Sequence, residues 1–291
     1  MAKSSILISS HNRIHLLKRC LWSIENHGPE DVEVIVADDG SDQDILGELK
    51  KYSFDWKFIK VDTKIFERET GVINYYNSPA LTNNIAFNHS SGDYIFLVGN
   101  EIMTWGYPYT QLIMDAIIEC GDRTTCSYQN NFIAFSTTYD VPSDILQQLD
   151  EYGTNFTEAM LNKCKRFPLA NQHYHSDVTN YISLSSRKLW NTINGYDERY
   201  LGGVAAEDSD FVRRSRLTTG FFLTRSEAVS LHQSHNGKTI YYEPQEVSPA
   251  FWNRGNEINK TLYKKWLPEH GYQNPQPWQP GTLGVVEVVN N

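Results

Sequence analysis

The chain has 291 residues, a net charge of −9, 40% hydrophobic and 21% charged residues. That balance suits one large α/β core with an appendage and argues against a nonspecific grip on nucleic acid or anionic lipid. Short basic groups such as Arg213, Arg214 and Arg216 read as ordinary solvated faces. No stretch reaches the roughly 18 apolar residues of a membrane helix, and Met1 to Ser10 falls short of a secretion signal, so a cytoplasmic setting is expected. Cys20, Cys120, Cys126 and Cys164 form no CxxC pair, which fits free thiols in a reducing compartment.

In chain order, Ser5 to Ser9 is a short apolar strand that ends in the polar Ser10-His11-Asn12-Arg13. Leu16, Leu17, Cys20, Leu21 and Ile24 then recur at helical spacing. Gly28-Pro29 stops that helix, and Val32 to Ala37 reads as a second buried strand ending at Asp38-Asp39-Gly40-Ser41. A βαβ unit of this length predicts parallel strands. Ile45 to Tyr52 is a predicted helix and Trp56 to Val61 a third strand. Pro79 can open a helix through Leu81, Ile85, Ala86 and Phe87, with Gly92 past its end. Tyr94 to Val98 is the clearest buried strand, and it delivers Gly99-Asn100-Glu101 to the carboxyl edge of the sheet, where ligands bind in open α/β folds.

Beyond Tyr107 the pattern weakens. It suggests a helix near Gln111 to Glu119, a strand near Phe132 to Thr137 and a polar helical stretch from Ser143 to Lys165. Tyr181 to Leu184 resumes as a strand, Arg187 to Ile193 as a short helix, and Gly195-Tyr196-Asp197 as a turn. Asp208 to Thr218 is expected to be helical, followed by strands at Phe221 to Thr224 and Ala228 to His232. A helix near Asn256 to Trp266 precedes a tail that either packs on the domain or serves assembly.

Four segments, in order, resemble family 2 type glycosyltransferases of GT-A fold: Ile6 to Arg13, Val34 to Asp42 (VIVADDGSD), Pro79 to Val98, and Asn194 to Phe211 (NGYDERYLGGVAAEDSDF). The resemblance implies a Rossmann-like α/β fold, with a mixed, mainly parallel sheet flanked by helices and a C-terminal extension. It divides the chain into a GT-A domain over 1–240 and a helical extension and tail over 241–291. Within the domain, 1–106 is the nucleotide-sugar-binding half and 107–240 the acceptor and catalytic half.

The resemblance also assigns residues. Ser10, His11, Asn12, Arg13, Asp38, Asp39, Asn84 and Asn100 are expected to bind the nucleotide sugar, with Asp39 reading the base. Taken alone, Asp38 to Ser41 is equally a plain β-turn, and Ser10 or Asn12 a helix N-cap. Gly99-Asn100-Glu101 stands where the family carries Asp-x-Asp, so the first acid is lost and Glu101 is left to hold Mn²⁺ or Mg²⁺ against the diphosphate. His232 and His235 are the matching histidines, and the same residue type is as often simply packed. Glu207-Asp208 matches the family's Glu-Asp pair, with Asp208 as general base and Glu207 orienting the acceptor. An acidic first helical turn, favoured by the macrodipole, is the plainer reading of that pair. Trp105, Tyr107 and Gly203 are expected on the acceptor side. His173, His175 and Asp177 alternate along a possible strand, which suits a metal, but the resemblance does not include them.

The expected activity is transfer of a sugar from a UDP-sugar to a hydroxyl of a glycan or other acceptor, with inversion. A retaining transferase or a non-catalytic nucleotide- or sugar-binding module on the same fold is the alternative. A nucleotidyltransferase would want a glycine-rich basic loop near the start, and SSHNRIHLLKR is not one.

Overall fold

The computed structural model of the chain describes residues 3–62, 79–113, 133–152, 156–166, 182–200, 206–219, 223–233, 257, 259–261, 263–264, 279–282 and 284–291. The first half runs β1 (Ser4–Ser10), α1 (Ile14–His27), β2 (Val32–Asp38), α2 (Ile45–Leu49), β3 (Asp55–Val61), α3 (Pro79–Asn88), β4 (Tyr94–Gly99) and β5 (Ile102–Thr104). The second runs β6 (Ile133–Val141), α4 (Ser143–Tyr152), α5 (Glu158–Leu161), β7 (Lys165–Arg166), β8 (Ile182–Ser186), α6 (Arg187–Ile193), α7 (Glu207–Thr219), β9 (Leu223–Gln233) and β10 (Val285–Asn290).

The strands described form one sheet in the order β10-β3-β2-β1-β4-β8-β6-β9-β5, with β7 beside β6. Strands β3, β2, β1 and β4 are parallel neighbours, as the βαβ pattern predicts. Strand β8 then runs antiparallel to both β4 and β6, and β6 and β9 are parallel, so the sheet is mixed.

The central strands read as continuous apolar runs because helices cover both faces. Ile6, Ile8, Val34, Val36, Phe96 and Val98 meet Leu17, Cys20 and Leu21 of α1 and Ile45 and Leu49 of α2. The alternate residues Leu7, Ile35, Ala37, Ile95 and Leu97 meet Ala80 and Ile85 of α3, Leu189 and Trp190 of α6, and Phe211 of α7. A fully buried leucine such as Leu17 contributes about 2 kcal/mol of hydrophobic stabilisation.

Three stretches differ from the sequence expectation. The two strands foreseen over 221–232 are the single strand β9, whose register against β6 shifts between Ser136 and Thr137. The polar stretch from Ser143 breaks into α4, α5 and the short strand β7. The tail ends in a strand: β10 pairs antiparallel with β3 and closes that edge of the sheet. Its ends are tied by Asp62 N–H to the Gly284 carbonyl at 2.7 Å and by Trp56 N–H to Asn291 Oδ1 at 2.9 Å. The final residues of 241–291 therefore belong to the same sheet as β1 to β4.

Strand β1 sits between β2 and β4, where the order of the parallel strands reverses. Register pairs Ser10 with Asp38 and Ser9 with Gly99. The ends of three strands thus open on one crevice at the carboxyl edge, the usual ligand position in such sheets.

Candidate active site

The SSHNR loop and the DDGSD turn are joined bond by bond. Asp39 N–H donates to the Ser10 carbonyl at 2.8 Å, and Asn12 N–H donates to Ser41 Oγ at 2.6 Å. Asp42 N–H donates to Asn12 Oδ1 at 2.9 Å. His11 Nδ1 lies 2.7 Å from the Asp39 carbonyl, which can only accept, so the proton of the ring is on Nδ1 and Nε2 is the acceptor side. Asn12 and Arg13 both have left-handed backbones, with φ of 55° and 59°. Two such residues in succession cost on the order of 1–3 kcal/mol each, strain that the bonds to the neighbouring turn sustain. Burial pushes the Asp38 carboxyl up, against the Ser41 hydrogen bonds that pull it down. Its oxygens take the Ser41 N–H and hydroxyl, so Asp38 mainly shapes the turn. Ser10 Oγ is buried, and among the described residues it has no hydrogen-bond partner.

Beside this crevice, Glu101 precedes β5 and His232 lies on its neighbour β9. Ile102 pairs with His232 across β5 and β9, and Gln233 N–H donates to the Glu101 carbonyl at 2.9 Å. A β-carbon added at Gly99 would lie 2.7 Å from Glu101 Oε1 and 3.0 Å from its Cδ. The Glu101 carboxylate thus folds over Gly99, into space that a side chain at position 99 would take. His232 Nδ1 lies 2.9 Å from Asp140 Oδ1, which turns Nε2 outward from that pair. A carboxylate behind the imidazole is the arrangement that orients metal-ligating histidines. Among the described residues no cluster of three or more His, Cys, Asp or Glu could by itself hold a metal. Mg²⁺-type sites use one or two protein ligands with phosphate oxygens and water, so the carboxylate of Glu101 is of a type that fits a cation brought with a diphosphate.

Glu207 and Asp208 open α7 at its positive end. Tyr196 donates its hydroxyl to Asp208 Oδ1 at 3.1 Å. Glu207 is buried, and its Oε2 has no hydrogen-bond partner among the described residues. Burial first, and the adjacent Asp208 charge second, push its carboxyl up to about 8. The pair therefore sets a half-buried carboxylate beside a buried one, whose burial favours its protonated form.

Asn84 is placed away from the expected donor contact. Its amide bridges the Tyr196 backbone, accepting from N–H at 2.8 Å and donating to the carbonyl at 2.9 Å, and it also donates to Glu198 Oε1 at 2.8 Å. It is a brace for the NGYDE turn, because α3 packs its polar face inward against that turn. Tyr107 meets His27 edge-on at 5.8 Å, at the far end of α1 from the SSHNR loop. That helix spans about 20 Å over its 14 residues, so Tyr107 lies well away from the crevice. Trp105 donates Nε1–H to the Phe156 carbonyl at 3.1 Å and packs among Met103 and Val141. Asn100 is buried between Gly99 and Glu101. Gly203, His235, His173, His175 and Asp177 lie outside the described residues.

Sequence reading did not find Asp140, Gln233, Tyr196 or Glu198. Gln233 locks the end of β9 to α1, donating to the Leu16 carbonyl and accepting from Arg19, both at 2.9 Å. These partners are separated by more than 200 positions, and no local spacing announces them.

With this geometry in view, comparison with known proteins is informative. Residues 5–99 match the family model described as glycosyl transferase family 2. An uncharacterized glycosyltransferase of Rickettsia bellii (strain RML369-C) is 32% identical over 155 residues. That alignment covers 52% of this chain and only 18% of the relative, so the chain corresponds to a small part of that protein. Residues 1–349 of S. aureus TarS in complex with UDP-GlcNAc superpose with a TM-score of 0.56 at 16% identity, covering 92% of this chain and 72% of that one. The mannosyltransferase PcManGT of Pyrobaculum calidifontis, in complex with GDP-Man and Mn²⁺, gives 0.51 at 11% identity, covering 92% and 76%. The fold is GT-A. Residues 5–99 are similar to family 2 glycosyl transferases, and that match falls on the N-terminal part of the chain, from β1 to the end of β4.

Proposed function

We propose that the protein is an inverting glycosyltransferase that moves a sugar from a UDP-sugar to an acceptor hydroxyl. The observation that carries this reading is the convergence of three strand ends on one crevice, where Ser10 pairs with Asp38 and Ser9 with Gly99. UDP as the nucleotide is supported by Asp39 beside the crevice and by the similar structure that holds UDP-GlcNAc.

In this reaction the acceptor oxygen attacks the anomeric carbon while that carbon's bond to the diphosphate breaks, and the nucleoside diphosphate leaves with the electron pair. Asp208 takes the proton of the acceptor hydroxyl as it attacks. The SSHNR loop and the DDGSD turn hold the nucleoside, which fixes the donor relative to Asp208. A divalent cation held by Glu101 and His232 would neutralise the departing diphosphate. Glu101, folded over Gly99, would then serve in place of the family's first acid.

Calorimetric titration of UDP, GDP and CDP, with and without Mn²⁺, tests the reading on wild type and Glu101→Ala. One nucleotide is expected to bind with Mn²⁺, and the variant to lose about 10- to 100-fold in that affinity. Absence of binding for every nucleotide removes the basis of the transferase reading. The loss of the first acid at Gly99 gives a second reading, a binding module without turnover. Tight UDP binding with no sugar transfer across a panel of donors and acceptors is the result that selects it.

A further inference from the structure

Tyr196 is fully buried, and its ring is held on two sides. It stacks on Phe211 at 4.2 Å and 12° and tilts against Trp190 at 5.7 Å. Its peptide group is clamped by the Asn84 amide through both its N–H and its carbonyl. The backbone entering it is equally constrained: Asn194 and Gly195 have φ of 61° and 64°. A β-carbon at Gly195 would come within 2.5 Å of Asn84 Oδ1, so the clamp depends on glycine at that position. Arg214, itself buried and paired with Asp210 at 2.7 Å, donates to the carbonyls of Ile193 and Gly195, each at 2.8 Å. Glu198 Oε1 accepts from Gly281 N–H at 2.6 Å, which binds the brace to the C-terminal segment.

The one polar atom on this rigid ring is its hydroxyl, and it meets Asp208 Oδ1. An ionised carboxylate only accepts, so the phenol is the donor. We infer that Tyr196 is the positioning residue of the base, holding one oxygen of Asp208 so that the plane of its carboxylate is set before the acceptor arrives. This rests on the reading of Asp208 as the base. Asp208 stands at the second position of α7, within hydrogen-bond reach of this phenol. Its neighbour Glu207 is a titrating group without a hydrogen-bonded anchor on Oε2, and Asp210 is committed to Arg214.

The test is Tyr196→Phe, which keeps the stack on Phe211 and Trp190 and removes only the hydroxyl. The carboxyl ¹³C resonance of Asp208, assigned by its loss in Asp208→Asn, is followed with pH in both proteins. Removing a donor to the charged form moves the Asp208 midpoint to higher pH. Turnover is read as UDP release across a panel of UDP-sugars with water and simple sugars as acceptors. The kcat is expected to fall roughly tenfold, with KM and calorimetric UDP affinity unchanged. An unchanged Asp208 midpoint overturns the inference. So does wild-type kcat in Tyr196→Phe when Asp208→Asn is inactive, a result that leaves the base standing and removes only Tyr196. Wild-type turnover in Asp208→Asn instead removes the base assignment, and the positioning role falls with it.

Discussion

Around the donor crevice, the fastening bonds join residues 28 to 30 positions apart, along two neighbouring parallel strands. Around Asp208 they join α3 to the NGYDE turn across 112 positions, and that turn to the C-terminal segment across 83. The first arrangement is one βαβ unit whose contacts are satisfied as soon as two strands pair. The second exists only when the whole chain has folded. Changes at a distance should therefore reach Asp208 and spare the SSHNR–DDGSD crevice, and this asymmetry is open to experiment.

The largest effect belongs to Asp208→Asn. General-base removal typically costs about 10²- to 10⁴-fold in rate, and the amide keeps the size and the hydrogen bond to Tyr196. Turnover is expected to fall by that factor while calorimetric UDP affinity stays at the wild-type value. A parallel loss of UDP affinity would show that the two halves are not separable in this way.

Gly99→Ala probes the other side with a smaller effect. Its methyl meets the far end of a flexible Glu101 side chain, so the backbone and the thermal midpoint should change little. Glu101 is forced off Gly99, and Mn²⁺-dependent UDP affinity is expected to fall about tenfold. Wild-type affinity would show that the position of Glu101 over Gly99 has no bearing on the diphosphate.

The same asymmetry explains what was legible in the sequence. Strand β1, helix α1 and strand β2 could be read directly, because buried strands and an amphipathic helix leave local periodicity, and the loops between them are contiguous motifs. The partnership of His232 with Asp140 could not be read, since it comes from pairing β6 with β9 across 92 positions. Asn84 was misplaced for a related reason: a polar residue on a helix beside a nucleotide half resembles a ligand contact, while its partners lie in a distant turn. The contact of Tyr107 with His27 could not be read either, since β5 runs back along α1, with Thr104 bonded to Ser23 and Tyr107 beyond it. Strand β10 was taken for a tail because its outward valines carry no sign of a buried face.

The smallest effect concerns stability rather than rate. Glu207 is buried beside Asp208, and its carboxyl titrates near 8, above the ordinary glutamate range. Between these two values the folded chain still holds a proton that the unfolded chain has released. The stability from this group is therefore complete below the ordinary glutamate range and is lost progressively as the pH rises to about 8. Glu207→Gln keeps the shape and removes the titration. The wild-type Tm is expected to drop between pH 5 and pH 8.5 by more than that of the variant, with a gap on the order of a few degrees for a chain of this size. Equal slopes would mean that water reaches Glu207 in the folded chain. Glu207 behind Asp208 would then be as solvated as Glu101, and the globally assembled surroundings of Asp208 would lose their distinction from the local SSHNR–DDGSD unit.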